Sequence, residues 1–224
     1  MSGEYVSLLL ADGRLPTGAH TQSAGVEPAL AHGMRVEQVP DYLRVRLRTV
    51  TEVEAAAAVV ARHRWLTAAA TGRTEAIGEV DEAWRVRTLS DALRDAADLL
   101  GRSYLRMAAT VWDLDALAGR PQRVWCRAVV VGATAAAAGL SAADTARLVA
   151  YEDAQTVIAA ALKLAPFDPS QGVRWAAAAG AEVDQLVSRT ADLSSIHQIP
   201  AYSAPLIEEW GQRHRTTERR LFRA

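Results

Sequence analysis

Apolar residues recur along the chain at intervals of three and four, the period of an α-helix. No segment alternates every second residue as a half-buried strand would, and no Asn-Gly or Asp-Gly turn joins two strand-like runs. The pattern predicts an all-α, single-domain compact bundle of about nine or ten helices over residues 1–224. A first short helix is expected over 5–11, ended by Asp12-Gly13 and Pro16. Pro28 suits the first turn of a second and Gly33 its end. Pro40 starts a third, carrying Tyr42, Leu43, Val45 or Arg46, Leu47 and Val50, and 52–70 continues as helix. Residues 72–78 read as a linker. Ser90 caps a long helix striped with Leu93, Ala97, Leu100, Tyr104 and Met107. Pro121 opens the next, through Cys126 and Val130 to Gly139. Ser141 caps another, with Asp144 near its positive end. That helix's face of Leu148, Tyr151 or Glu152, Gln155, Ile158 and Leu162 is broken by polar groups, which predicts partial burial. Asp168-Pro169 starts a helix through Trp175 to Leu193, and Pro200 and Pro205 precede a terminal amphipathic piece.

Composition narrows the function classes. With 224 residues, half of them hydrophobic, the chain can build a core without disulfide or metal. Lys and Arg number 25 against 26 Asp and Glu, so no global positive field draws it to nucleic acid or an anionic membrane. Lys163 is the single lysine, a bias that fits a GC-rich genome better than selection for guanidinium chemistry. Cys126 is the single cysteine, which excludes an intrachain disulfide and fits a reducing compartment. The apolar stretch 128–140 is too short to span a bilayer and reads as a buried helix. Glu4 stands where a signal peptide carries positive charge, so the expected location is cytoplasmic.

No phosphate-loop, dinucleotide-binding, HExxH, CxxC or GxSxG motif occurs, so no residue announces itself as nucleophile or base. The histidines at 20, 32, 63, 197 and 214 never pair at helical metal-ligand spacing. For His20 and His32, capping or surface exposure is the simpler reading, and Cys126 reads as a small hydrophobe. Two local signals remain. The connection over 12–25 is longer than bundles ordinarily use and rich in Gly and hydroxyls; it is either a plain connection or a binding surface. The tail over 213–224 sets Arg213, Arg215, Arg219, Arg220 and Arg223 against Glu218, with Leu221 and Phe222 among them. It reads as a frayed end or as an interface anchor projecting apolar area among guanidinium groups, and nucleic acid is disfavoured because the rest of the chain lacks a basic face.

In these two segments the sequence resembles the UreF family of urease accessory proteins. Leu15, Pro16, Gly18, Ser23, Gly25 and Glu27 match the family's N-terminal pattern, with Val26 for Leu and His20 at a position aromatic in many members. His214, Thr216, Arg220, Leu221, Phe222 and Arg223 match its C-terminal ending, whereas Arg215, Glu218, Arg219 and Ala224 depart from it. Between them, 89–107 resembles the family's Arg-rich central helix, and Val130 to Gly132 with Gly139 and Ser141 resembles its glycine-containing stretch. Lys163 to Pro166 and Gln171-Gly172 resemble a later motif, with Lys163 for Arg and Phe167-Asp168-Pro169 for Leu-Gly-Gln.

The resemblance implies an all-α homodimer without catalysis or cofactor of its own. Such a protein bridges the chaperone UreD (UreH in some systems) and the GTPase UreG, so that nickel and carbon dioxide reach apo-urease. It further implies that Arg220, Leu221, Phe222 and Arg223 meet UreD. Leu15 to Glu27 would shape the dimer or the UreG-facing surface, Glu27 serving a helix N-terminus. Lys163 would put a point charge where the family's Arg offers a planar fork. Alternatives from other classes are an Arg supplied to the UreG active site, a helical ligand-binding module and a nickel carrier.

Overall fold

Small side chains set the centre of the molecule. Residues 55–61 (AAAAVVA) lie within helix Val50–Thr67 and are buried on every side, as expected of a helix apolar all round. Against it packs helix Arg127–Ala137, where a Cβ on Gly132 would overlap the Ala58 carbonyl oxygen, so glycine permits the close backbone approach. The computed structural model describes residues 1–215 and 221–222. Among the described residues the α-helices are α1 (Gly3–Leu10), α2 (Val26–Ala31), α3 (Val39–Leu47), α4 (Val50–Thr67), α5 (Arg73–Arg85), α6 (Asp91–Ala108), α7 (Asp115–Ala118), α8 (Arg127–Ala137), α9 (Ala142–Leu164), α10 (Pro169–Thr190) and α11 (Pro205–Arg215). All but the four-residue α7 exceed one turn, there is no strand among them, and the all-α expectation holds.

Around the α4·α8 pair, α9 packs on α4 and on α10, α5 on α4, α6 on α8, and α11 on α2 and α6. The starts follow the local chemistry that the sequence displayed. The Ser90 hydroxyl accepts from Leu93 N–H, Ser141 from Asp144 N–H, and the Asp168 carboxylate from Ser170 N–H.

Four expectations are corrected. Residues 72–78 are not a linker, because Arg73–Arg85 is helical and buries Ile77, Gly78, Val80, Asp81 and Trp84. Gly78 sits in the helix interior under the Arg123 guanidinium, so it marks a close contact and not a break. Pro121 does not open α8; the helix starts at Arg127, with Cys126 at its cap position, its N–H donating to Asp81 Oδ1 at 2.8 Å. The run from 39 to 67 is two helices, interrupted at Thr49. Finally, the buried face of α9 is wider than the partial one expected: Tyr151 is exposed, but Thr145, Ala146, Val149, Asp153, Val157 and Ala161 are buried along with Leu148 and Ile158, because its polar groups find partners inside the protein.

Candidate functional site

The start of α2, which follows the loop over 12–25, and residues 221–222, far apart in sequence, meet beside α9 and α11. The loop turns twice through left-handed backbone, at Gly18 (φ +84°) and Gly25 (φ +80°), with Ala24 also at φ +50°. A Cβ at Gly25 would lie 2.6 Å from the Tyr42 hydroxyl, so both conformation and space require glycine there. Ala24 holds its strained geometry through its carbonyl oxygen, which accepts from the Tyr42 hydroxyl at 2.6 Å and from Arg46 Nη1 at 3.0 Å.

Beneath the loop lies a buried network of charges. Arg46 donates Nε and Nη2 to the two oxygens of Asp153 at 3.0 and 2.6 Å, a bidentate pair 6% and 7% exposed, and the Thr51 hydroxyl donates to the same carboxylate at 2.7 Å. Arg127 reaches Glu54 with one nitrogen and Glu152 at 2.5 Å with the other. Burial alone would raise the Asp153 pKa, but the Arg46 charge and the donors on Arg46 and Thr51 outweigh it and hold the group below its ordinary value. Glu152 goes the other way, because burial dominates and Glu54 adds a like charge. Burial also pushes the Tyr42 hydroxyl up to about 12. Arg46, Glu54, Arg127, Glu152 and Asp153 line a cavity of about 120 Å³ between the loop, α3, α4, α6 and α9, which Gln22 and Tyr104 also line.

The tail joins at Glu27, in the first turn of α2. Its carboxylate accepts the backbone N–H of Leu221 at 2.6 Å and that of Phe222 at 2.9 Å. His214 Nε2 lies 3.4 Å from the same carboxylate and 3.2 Å from the Phe222 carbonyl oxygen. The Phe222 ring is buried at 4% exposure, with Lys163 Nζ 5.3 Å above its centroid.

The structure thus gathers Gly25, Glu27, Lys163, His214, Leu221 and Phe222 into one cluster. Leu15 packs partly buried against the core, Ser23 is fully buried, and Pro16 and His20 are exposed. Gly18 turns the loop beside Leu100 and Ser103 of α6. Arg220 and Arg223 lie outside the described residues, as do Thr216, Glu218, Arg219 and Ala224. The expectation that Leu221 and Phe222 both project is corrected for Phe222, which turns into its own chain, while Leu221 is 64% exposed. Among the described residues no three His, Cys, Asp or Glu groups come together as a metal site, and no helix is long and apolar enough to cross a membrane. Cys126 is buried, and burial raises its thiol pKa well above the ordinary range.

The charge network was missed by sequence reasoning. Its signal was present in the unresolved choices of Val45 or Arg46 and Tyr151 or Glu152. Val45 and Tyr151 prove exposed, while Arg46 and, one place further on, Asp153 face inward.

The UreF family model matches residues 35–180, the helical body between loop and tail. A urease accessory protein UreF of Mycolicibacterium vanbaalenii is 35% identical over 228 residues, covering 99% of each chain. Those of Mycobacterium marinum and Mycobacterium tuberculosis are 34% and 32% identical, covering 96% and 99% of each chain.

Proposed function

The chain belongs to the UreF family of urease accessory proteins, and from that premise we propose that it bridges the UreD (UreH) chaperone and the UreG GTPase while nickel is inserted into apo-urease. One observation carries the reading. Leu221 and Phe222 from the C-terminal motif and Glu27 from the N-terminal one converge into one surface, from which the Leu221 side chain projects. A helical body that presents an exposed apolar residue is equipped to dock proteins, and its contribution is orientation and selection of a partner's conformation, not bond-making. In this reading the protein works in the cytoplasm as a homodimer of single-domain chains and performs no catalysis of its own.

Deleting the tail is a poor test, since it also removes buried Phe222. Leu221→Glu changes only an exposed side chain. Co-purification with UreD is expected to be lost while the melting temperature stays within about 1 °C, as surface substitutions ordinarily cost little. Unchanged co-purification refutes the docking assignment. GTP turnover by UreG with and without the protein tests the alternative of a supplied arginine: stimulation of 10³-fold or more would favour it.

A further inference from the structure

We propose that the cavity beneath the N-terminal loop is a binding site for a small uncharged carboxamide, recognised by Gln22 and Tyr104 and held against the apolar wall of α6. The site goes beyond the docking reading, because it lies within one chain and needs no partner protein.

Among the described residues three buried side-chain atoms lack a hydrogen-bond partner, and two of them, Gln22 Nε2 and the Tyr104 hydroxyl, belong to residues that line this one cavity. Gln22 is 5% exposed and Tyr104 1% exposed. A buried polar group without a bond is costly, so the coincidence of two at one cavity points to an occupant that bonds to both. Size limits that occupant. The cavity is about 120 Å³ and partly open to solvent. An apolar cavity of about 150 Å³ accommodates benzene, so this one takes about five or six non-hydrogen atoms. Charge limits it further. The guanidinium groups of Arg46, Arg87 and Arg127 line the cavity against the carboxylates of Glu54, Glu152, Asp153 and Glu208, which leaves the excess negative. Arg46 is engaged by Asp153, Arg127 is divided between Glu54 and Glu152, and Arg87 donates to the carbonyl oxygens of Ala83, Ile196 and Ile199. An anion would therefore meet like charge and find the guanidinium donors already engaged. An alkylammonium ion would suit the charge but offers no acceptor to Gln22 Nε2. A carboxamide supplies a carbonyl oxygen for that donor and N–H groups for the Tyr104 oxygen, while its alkyl end meets Leu93, Ala97 and Leu100.

Isobutyramide is a probe of this size, and isobutyrate is its anionic counterpart of the same shape. Titration of isobutyramide into the full chain, followed through the methyl NMR signals of Val53, Leu93 and Leu100, is expected to saturate with a Kd of about 1 mM or tighter. The melting temperature should rise with probe concentration. Isobutyrate should bind at least about tenfold more weakly. Gln22→Leu should weaken isobutyramide about tenfold, and Ala97→Leu, which fills the cavity from α6, should abolish its binding. Tyr104→Phe removes a hydroxyl that has no partner among the described residues. Without probe its melting temperature should therefore hold or rise, while its affinity for isobutyramide falls. Shifts that do not saturate overturn the site. Isobutyrate binding as tight as isobutyramide overturns the choice of an uncharged ligand, and affinity that survives both Gln22→Leu and Tyr104→Phe overturns the recognition. A lowered melting temperature in Tyr104→Phe, together with no probe binding, marks ordered water as the occupant and overturns the proposal as well. Should Ala97→Leu fail to fold, Ala96→Leu fills the cavity from the same wall, and unchanged binding in the folded variant overturns the site. Every readout is taken without UreD or UreG, so failure here is distinct from failure of the docking assignment.

Discussion

Replacing Asp153 by Ala removes one half of a bidentate pair whose partners are 6% and 7% exposed. Arg46 would keep its charge in the interior, and the Thr51 hydroxyl would lose its acceptor. Breaking a buried pair from one side costs about 3–5 kcal/mol, since the remaining ion has been desolvated without compensation. For a chain of this length each kcal/mol moves the melting temperature by roughly 2–4 °C, so a fall of about 6–20 °C is expected. Removing both charges is different in kind. Arg46→Met with Asp153→Leu takes away the desolvation penalty together with the attraction, and global stability should return to within about 1 kcal/mol of the parent. The Ala24 carbonyl would nevertheless lose its guanidinium donor, so the loop keeps only Tyr42. The double variant is therefore expected to be stable yet weakened in partner binding. Urea denaturation of the parent, Arg46→Met, Asp153→Leu and the double variant gives the coupling free energy directly. A loss below about 1 kcal/mol for Asp153→Ala, or a double variant as destabilised as the sum of the singles, refutes the reasoning.

Acid should expose the same group. The folded-state pKa of Asp153 is depressed below its ordinary 3.8, so its stabilisation is complete above that value and disappears as pH falls through the folded value. Asp153→Asn should accordingly be less stable at neutral pH but show a flatter loss of stability between about pH 5 and the acid limit in urea titrations at fixed pH. Gly101→Ala is expected to cost about 1–3 kcal/mol, because its Cβ would overlap the Trp125 carbonyl oxygen where α6 meets the start of α8. Gly180→Ala meets open space on α10 and should be neutral or stabilising by up to about 1 kcal/mol, which thermal denaturation of the pair compares directly.

Caps and periodicity made the long helices legible. Ser90, Ser141 and the Asp168-Pro169 pair each begin a helix where their side chains or ring geometry dictate. These are local effects, settled within four residues. Glycine was less informative, because one residue type serves opposite purposes. Gly33 ends α2 at φ +99°, whereas Gly78 lies within α5 to admit a guanidinium, and only the neighbour distinguishes them.

By itself the order of residues determined the helical class and most helix starts, since each depends on spacing along the chain. Which charges face inward, and that Glu27 holds the backbone of Leu221 and Phe222, was decided only in three dimensions. Arg46 and Asp153 are 107 residues apart, and their burial is tolerable solely because folding brings them to 2.6 Å. An ion's cost inside a protein depends on the partner it meets there, and that partner is chosen by the packing of helices, not by its neighbours in the chain.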